Sequence, residues 1–267
     1  MSLATLILLA LIQGVTEFLP VSSSGHLILL PALTGTEDQG QAIDVAVHVG
    51  TLFAVMIYFW RDVGQLAMGA VHTLTGRFQT QAARLFLLMV LATIPVIVAG
   101  VFLKLTGLAD AMRSIAVIGW TMLIFGLVLY WFDRKSPDHR QAESWGLRDA
   151  VIMGLWQAVA LIPGTSRSGA TITGARMLGF DRREGARLAM LMSIPTIIAS
   201  GVLLGLEVAA EADAALARDG AIAAGFAFVA ALLALTLMMR LLRSVSFTPY
   251  VIYRVVLGIV LLGIAYG

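Results

Sequence analysis

The chain has 267 residues, 59% of them hydrophobic and only 13% charged, and its mean hydropathy is +0.91. That balance excludes an ordinary soluble domain and points to a polytopic membrane protein. With no cysteine there is no disulfide, no thiol nucleophile and no cysteine-ligated metal, and the net charge of +2 matters less than where the charges lie.

In chain order, the first thirty residues are apolar, lack the basic start of a signal peptide and are expected to stay in the mature protein. They are broken by Pro20 and by Ser22 to Gly25. Three apolar stretches follow near 43–60, 84–103 and 114–132, each long enough to cross about 30 Å of hydrocarbon. After a basic connection comes a second broken run, with Pro163 and Gly164 to Gly169 at the break. Three more spans lie near 187–206, 221–239 and 249–266. Irregular backbone at membrane depth is tolerated only where it is buried in protein or lines a wet cavity. Both broken runs are therefore read as re-entrant helix hairpins rather than as kinked spans.

A shift of 144 residues lays Gln13, Val15, Ser22, Ser24, Gly25 and Gly35 onto Gln157, Val159, Ser166, Ser168, Gly169 and Gly179. The expected fold is an all-α polytopic membrane protein, a single integral membrane domain of two inverted-topology repeats, about 1–133 and 147–267. Each repeat carries one re-entrant hairpin plus three transmembrane helices. Three crossings per half turn the second half upside down. Loop charges agree: Arg61, Arg77, Arg84, Arg134, Lys135, Arg140, Arg148, Arg176, Arg182, Arg183, Arg187, Arg240 and Arg243 fall on one side. Only Lys104, Arg113 and Arg218 fall on the other, beside Glu37, Asp38, Glu207, Glu211, Asp213 and Asp219. The positive-inside rule puts the first set in the cytoplasm and both termini outside. Arg254, near the cytoplasmic end of the last span, is expected to snorkel to the interface.

The two breaks should converge on one site, since inverted-repeat proteins place function between the repeats. The first break supplies Gln13, Glu17, Ser22, Ser23, Ser24 and His26, and the second Gly164, Thr165, Ser166, Arg167, Ser168 and Thr171. Gln13 and Glu17 stand four apart and share a helix face. Ser22 or Ser23, and Thr165 or Ser166, would cap the returning helices, whose free amides form anion sites. Arg167 adds a planar fork suited to phosphate, although it could also simply neutralise Glu17.

The segments Gln13-Gly14-Val15-Thr16-Glu17-Phe18-Leu19-Pro20-Val21-Ser22-Ser23-Ser24-Gly25-His26 and Pro163-Gly164-Thr165-Ser166-Arg167-Ser168-Gly169-Ala170-Thr171 resemble the two signature motifs of the undecaprenyl-pyrophosphate phosphatases of the bacitracin-resistance type. The resemblance runs over essentially the whole chain, including Asp44 to Thr51. It implies a bacterial inner-membrane enzyme that releases the terminal phosphate of undecaprenyl pyrophosphate, with its site facing the periplasm. The monophosphate so regenerated serves cell-wall synthesis. The resemblance also implies a divalent cation, Mg²⁺ or Ca²⁺, held by Glu17, because the family's first motif begins with Glu or Gln and here it is the uncharged Gln13.

Roles follow from the chemistry of phosphoryl transfer. Arg167, the helix-start amides and the cation neutralise charge. Ser23 is the candidate nucleophile with His26 as its base and Glu17 binding the cation or orienting His26; His26 as nucleophile, or water activated by Glu17, are the alternatives. Expected partners are the polyprenyl pyrophosphate and membrane lipids, with no nucleic acid, and a homodimer is compatible with the sequence. The same architecture would suit an inverted-repeat lipid-phosphate flippase or anion transporter, although a carrier has no need of serines beside a histidine and a glutamate.

Overall fold

The computed structural model describes residues 2–34, 40–208 and 214–267. Glu37, Asp38, Glu211 and Asp213 of the acidic loops, and Gly35 of the repeat, lie outside the described residues. The described chain is helical throughout, with no strand beyond an isolated bridge between Arg140 and Phe180.

Its first broken pair is α1 (Leu3–Phe18) and α2 (Ser23–Thr34), followed by α3 (Gly40–Tyr58), α4 (Trp60–Leu74), α5 (Gln81–Thr106), the short α6 (Leu108–Ala111) and α7 (Ile115–Lys135). A turn of 3₁₀-helix at Ala142–Ser144 leads to the second pair, α8 (Leu147–Val159) and α9 (Arg167–Met177). Then come α10 (Arg182–Val208), α11 (Ala214–Leu241) and α12 (Thr248–Tyr266). Six helices are long and apolar enough to span a membrane: α3, α5, α7, α10 over Arg182–Leu203, α11 and α12. They match the six spans expected from sequence. At 1.5 Å per residue α1 is only about 24 Å long and α9 about 17 Å, short of the hydrocarbon thickness, and within each broken pair the helices pack on one another.

Local signals set these boundaries. Thr80 and Ser114 cap α5 and α7 by accepting from the amides of Ala83 (3.1 Å) and Val117 (3.2 Å). The region around Arg61 was counted from sequence as loop and is instead helix α4. Trp60, Met68, Val71 and Leu74 are exposed on it while Asp62 and Gly69 face inward, the pattern of a helix lying in the membrane interface.

Packing repeats at corresponding positions: α1 lies on α11, and its counterpart α8 lies on α5, the counterpart of α11. Small residues let these backbones meet, as membrane helices require. A Cβ on Gly14 would come within 2.6 Å of the Ala227 carbonyl, and one on Gly154 within 2.5 Å of that of Ala92. The arginine-rich end is cross-braced. Asp133 takes Arg182 at 2.7 Å and the buried Arg176 at 3.3 Å, and Arg187 reaches Asp62 at 2.5 Å. Several arginines read as loop charges therefore hold helices together.

The α3–α11 contact is tightest at Gly50, where an added Cβ would sit 2.2 Å from the Ala224 carbonyl. Backbone cannot yield as a side chain can, so Gly50→Ala should cost about 1–3 kcal/mol. In detergent it should melt clearly below wild type, whereas Gly225→Ala, with nothing within 4 Å of its added methyl, should not.

Candidate functional site

Each broken pair turns through the same device. After α1 the chain reverses over Leu19 to Ser22, where Pro20 cannot donate to continue the helix. Ser22 then takes a positive φ of 74° and its Oγ accepts from the Gly25 amide at 3.3 Å. After α8 the chain turns through Gly164, at φ 85°, to Ser166, at φ 73°, whose Oγ accepts from the Gly169 amide at 3.1 Å. Among the described residues Ser22 and Ser166 alone are non-glycines at positive φ. That conformation costs about 1–3 kcal/mol and persists only when its surroundings enforce it.

Arg254 anchors the backbone beside both of these serines. Fully buried on α12, it donates to the carbonyls of Pro20 (3.4 Å), Gly164 (3.2 Å) and Thr165 (2.8 Å), and to Met122 and Thr121 of α7 (both 3.3 Å). One guanidinium thus gathers carbonyls from both breaks. The expectation that Arg254 snorkels is corrected here: its acceptors are main-chain carbonyls deep in the protein, and Gly126 and Gly169 leave room for it, a Cβ on Gly169 falling 2.7 Å from its Nη1.

The breaks also touch directly. Glu17, at the end of α1, forms an ion pair through Oε1 with Arg167, the first residue of α9. Its other oxygen accepts from Ser23 Oγ at 2.7 Å and Gln13 Nε2 at 2.8 Å, and stands 3.8 Å from His48 Nε2 of α3. Ser168 Oγ donates to the Leu19 carbonyl at 2.9 Å. These groups border a cavity of about 170 Å³. The first hairpin contributes Glu17, Ser22, Ser23 and Ser24, and the second Ser166 and Arg167; His48, Ala160, Ile197 and Ser200 complete the wall. Both returning helices begin at this cavity, so their unpaired amides and positive dipole ends border it.

The remaining sequence candidates stand behind it. Gln13 is fully buried against Glu17; Gly164 and Thr165 present their carbonyls to Arg254; Thr171 bonds the Arg167 carbonyl at 2.8 Å. His26 is not brought to Ser23. Its Nδ1 lies 2.6 Å from the Ser22 carbonyl and its Nε2 2.5 Å from the Tyr253 hydroxyl, so both nitrogens are occupied and Ser23 bonds Glu17 instead. Nor does Glu17 orient His26. Sequence reasoning missed His48 and Tyr253. The Nδ1 of His48 lies 2.7 Å from the Asp44 carbonyl, a main-chain acceptor that any residue would offer, so the sequence carried no signal for it.

Among the described residues no three His, Cys, Asp or Glu side chains converge as a metal cage. One carboxylate and the neighbouring serine hydroxyls, all oxygen donors on the cavity wall, fit a hard cation that completes its shell with substrate phosphates.

Comparison with known proteins gives a consistent match. Residues 6–260 match the family described as Bacitracin resistance protein BacA. The chain is 71% identical over 267 residues, the whole of both chains, to a Ruegeria pomeroyi protein named undecaprenyl-diphosphatase. It is 70% identical over the same full length to one of that name from Jannaschia sp.. A Rhodospirillum rubrum relative named undecaprenyl-diphosphatase 1 is 46% identical over 272 aligned positions, covering all of this chain and 96% of its own.

Losing Arg254 would strand several buried carbonyls, each costing about 1–3 kcal/mol. Arg254→Met should therefore lower stability by several kcal/mol, read as a large drop in melting temperature in detergent. The exposed Arg243→Met is the control and should melt like wild type.

Proposed function

This chain belongs to the bacitracin resistance protein BacA family, and we propose that its hairpin site hydrolyses undecaprenyl pyrophosphate to undecaprenyl phosphate and inorganic phosphate. The observation that carries this reading is the chain of contacts Ser23–Glu17–Arg167 across two helix breaks. It joins a hydroxyl, a carboxylate that accepts its proton and a guanidinium, at the head of two helices whose amides favour an anion.

The ion pair of the resting site suggests the order of events. An incoming pyrophosphate offers Arg167 a bidentate partner, and the guanidinium turns from Glu17 to the phosphate. Glu17, relieved of its strongest partner, then becomes the base for Ser23. Ser23 Oγ attacks the terminal phosphorus as its proton passes to Glu17, the bond to the bridging oxygen breaks, and undecaprenyl phosphate leaves. Water next attacks the phosphoserine phosphorus, the bond to Oγ breaks as Glu17 returns its proton to Oγ, and the protons of the water leave on inorganic phosphate, so that Ser23 and the Glu17 carboxylate are both restored. A Mg²⁺ or Ca²⁺ ion held by Glu17 and neighbouring oxygens would spread the charge of the pyrophosphate oxygens when bound.

We further propose that the two halves are inverted repeats in a bacterial inner membrane, with both termini and the mouth of the first hairpin on the periplasmic side. The thirteen-to-three division of basic residues, the twin serine caps and the matched packing of α1 on α11 and α8 on α5 support this arrangement. A homodimer would leave the chemistry unchanged, since both hairpins belong to one chain.

Cysteines test the orientation. One placed at Thr106 should react with an impermeant reagent in intact cells and one at Gln141 should not; the opposite pattern refutes the orientation.

Phosphate release by purified protein in detergent tests the chemistry, because transport has no meaning there. Arg167→Lys keeps the charge and loses the fork, and turnover should fall about 10²- to 10³-fold with the fold intact. Ser23→Ala should abolish the acid-stable phosphoserine that rapid quenching traps in wild type. If Arg167 served only to neutralise Glu17, the double variant Glu17→Gln with Arg167→Gln would keep near wild-type turnover. On the proposed mechanism it is inactive.

A further inference from the structure

Two adjacent residues of α12 grip the first break on either side of Ser22. Arg254 holds the Pro20 carbonyl, and Tyr253 reaches the Ser22 carbonyl through His26. What each member can donate fixes the direction of that second chain. The Ser22 carbonyl only accepts, so His26 Nδ1, 2.6 Å away, carries the ring hydrogen. In the neutral ring Nε2 then holds the lone pair, and the Tyr253 hydroxyl, 2.5 Å away, donates to it. The imidazole takes the carbonyl at the expense of the helix, since the main-chain bond from the His26 amide to the same oxygen is stretched to 3.4 Å. A trans peptide points its N–H opposite its C=O. With the Ser22 carbonyl drawn back along α2, the Ser23 amide points out of the helix start, toward the cavity that Ser22, Ser23 and Ser24 line. No acceptor among the described residues takes its hydrogen.

Packing does not explain the Tyr253 hydroxyl. The side chain is 45% exposed, beside the exposed Ile252, Val256 and Ile259, and its ring stacks on His26 at 5.7 Å and 8° from parallel, as a phenylalanine ring would. We propose that Tyr253 and His26 are positioning residues: the chain from the Tyr253 hydroxyl through His26 to the Ser22 carbonyl aims the Ser23 amide at a phosphate oxygen. Donors aligned in one sense polarise one another, so the amide at the end of the chain becomes the stronger donor. In turnover it meets the charge that develops on the transferred phosphoryl group, as a nucleophile's own amide does in an oxyanion hole. That use in turnover rests on the phosphatase reading, but the aim of the amide at an anion does not.

The test uses inorganic pyrophosphate and the purified full-length protein in detergent. Added without lipid, pyrophosphate should move the Ser23 amide proton resonance downfield. It should bind about tenfold more weakly to Tyr253→Phe, the worth of one hydrogen bond to a charged group, while that variant melts like wild type. Phosphate release from the lipid substrate gives the second arm. Tyr253→Phe should lower kcat about tenfold. His26→Asn keeps an N–H for the Ser22 carbonyl and cannot reach Tyr253, so it should lose about as much, and the double variant should be no worse than either single one. A His26 that served as base or nucleophile would leave His26→Asn inactive. The proposal is overturned if pyrophosphate leaves the Ser23 amide unmoved, if Tyr253→Phe binds pyrophosphate like wild type, if the two losses multiply in the double variant, or if folded His26→Asn is inactive. Should wild type release no phosphate, the phosphatase reading falls and the pyrophosphate arm still decides the role of Tyr253.

Discussion

A helix interrupted inside hydrocarbon exposes carbonyls at one end and amides at the other, and no water from the bilayer satisfies them. The whole arrangement turns on how those ends are met. Turn carbonyls of both breaks, Pro20 just past α1 and Gly164 and Thr165 between α8 and α9, converge on Arg254. The amide ends of both second helices are only partly used, by Ser22 and Ser166, and their other amides border the cavity. Structural cation at one pole and anion site at the other follow from one constraint. The same break that would be a defect in a spanning helix becomes a binding site once its carbonyls are anchored.

The ion pair of Glu17 and Arg167 must be weighed against desolvation. A buried pair of this kind often contributes little net stability, because the charges lose their water before they gain each other, whereas removing one partner leaves an uncompensated charge. Such a pair is better suited to exchange than to bracing. Arg167 retains 19% side-chain exposure to the cavity while Glu17 retains 4%, so the guanidinium is the member free to turn. Bracing is supplied elsewhere, by Arg254 within the bundle and by the Asp133, Arg176 and Arg182 cluster at the basic end.

Much of this could be read from sequence, and the exceptions share a cause. The helix spacing of Gln13 and Glu17, the twin serine caps and the convergence of Glu17 with Arg167 are local or symmetric features, and a motif or a repeat exposes them. The setting of His26 was not legible because its partner Tyr253 lies 227 residues away, and no short-range pattern places a phenol against that imidazole. His48 passed unnoticed as a single histidine in an apolar span, a residue that by spacing alone reads as packing. Arg254 deceived for a different reason. Pairing arguments look for a carboxylate, and its acceptors are carbonyls that every residue possesses. Helix α4 was hidden because Arg61 at its start read as a loop charge, while its apolar stripe is interrupted by polar residues on the other face.

The uncharged Gln13 bears on the electrostatics of turnover. With Gln at this position the resting site holds one carboxylate and one guanidinium and is neutral, so nothing beyond Arg167 is available to meet a second anion. A pyrophosphate carries more negative charge than one guanidinium cancels, and when Arg167 turns to it Glu17 is left bare as well. The excess must be balanced within a cavity walled by Ile197, Ala160 and the buried faces of two hairpins, where an unpaired charge is costly. Helix-start amides carry only partial charges, equivalent to about half a unit per helix. In the proposed mechanism a divalent cation held by Glu17 would close that balance, which is why a site with a single carboxylate has use for one.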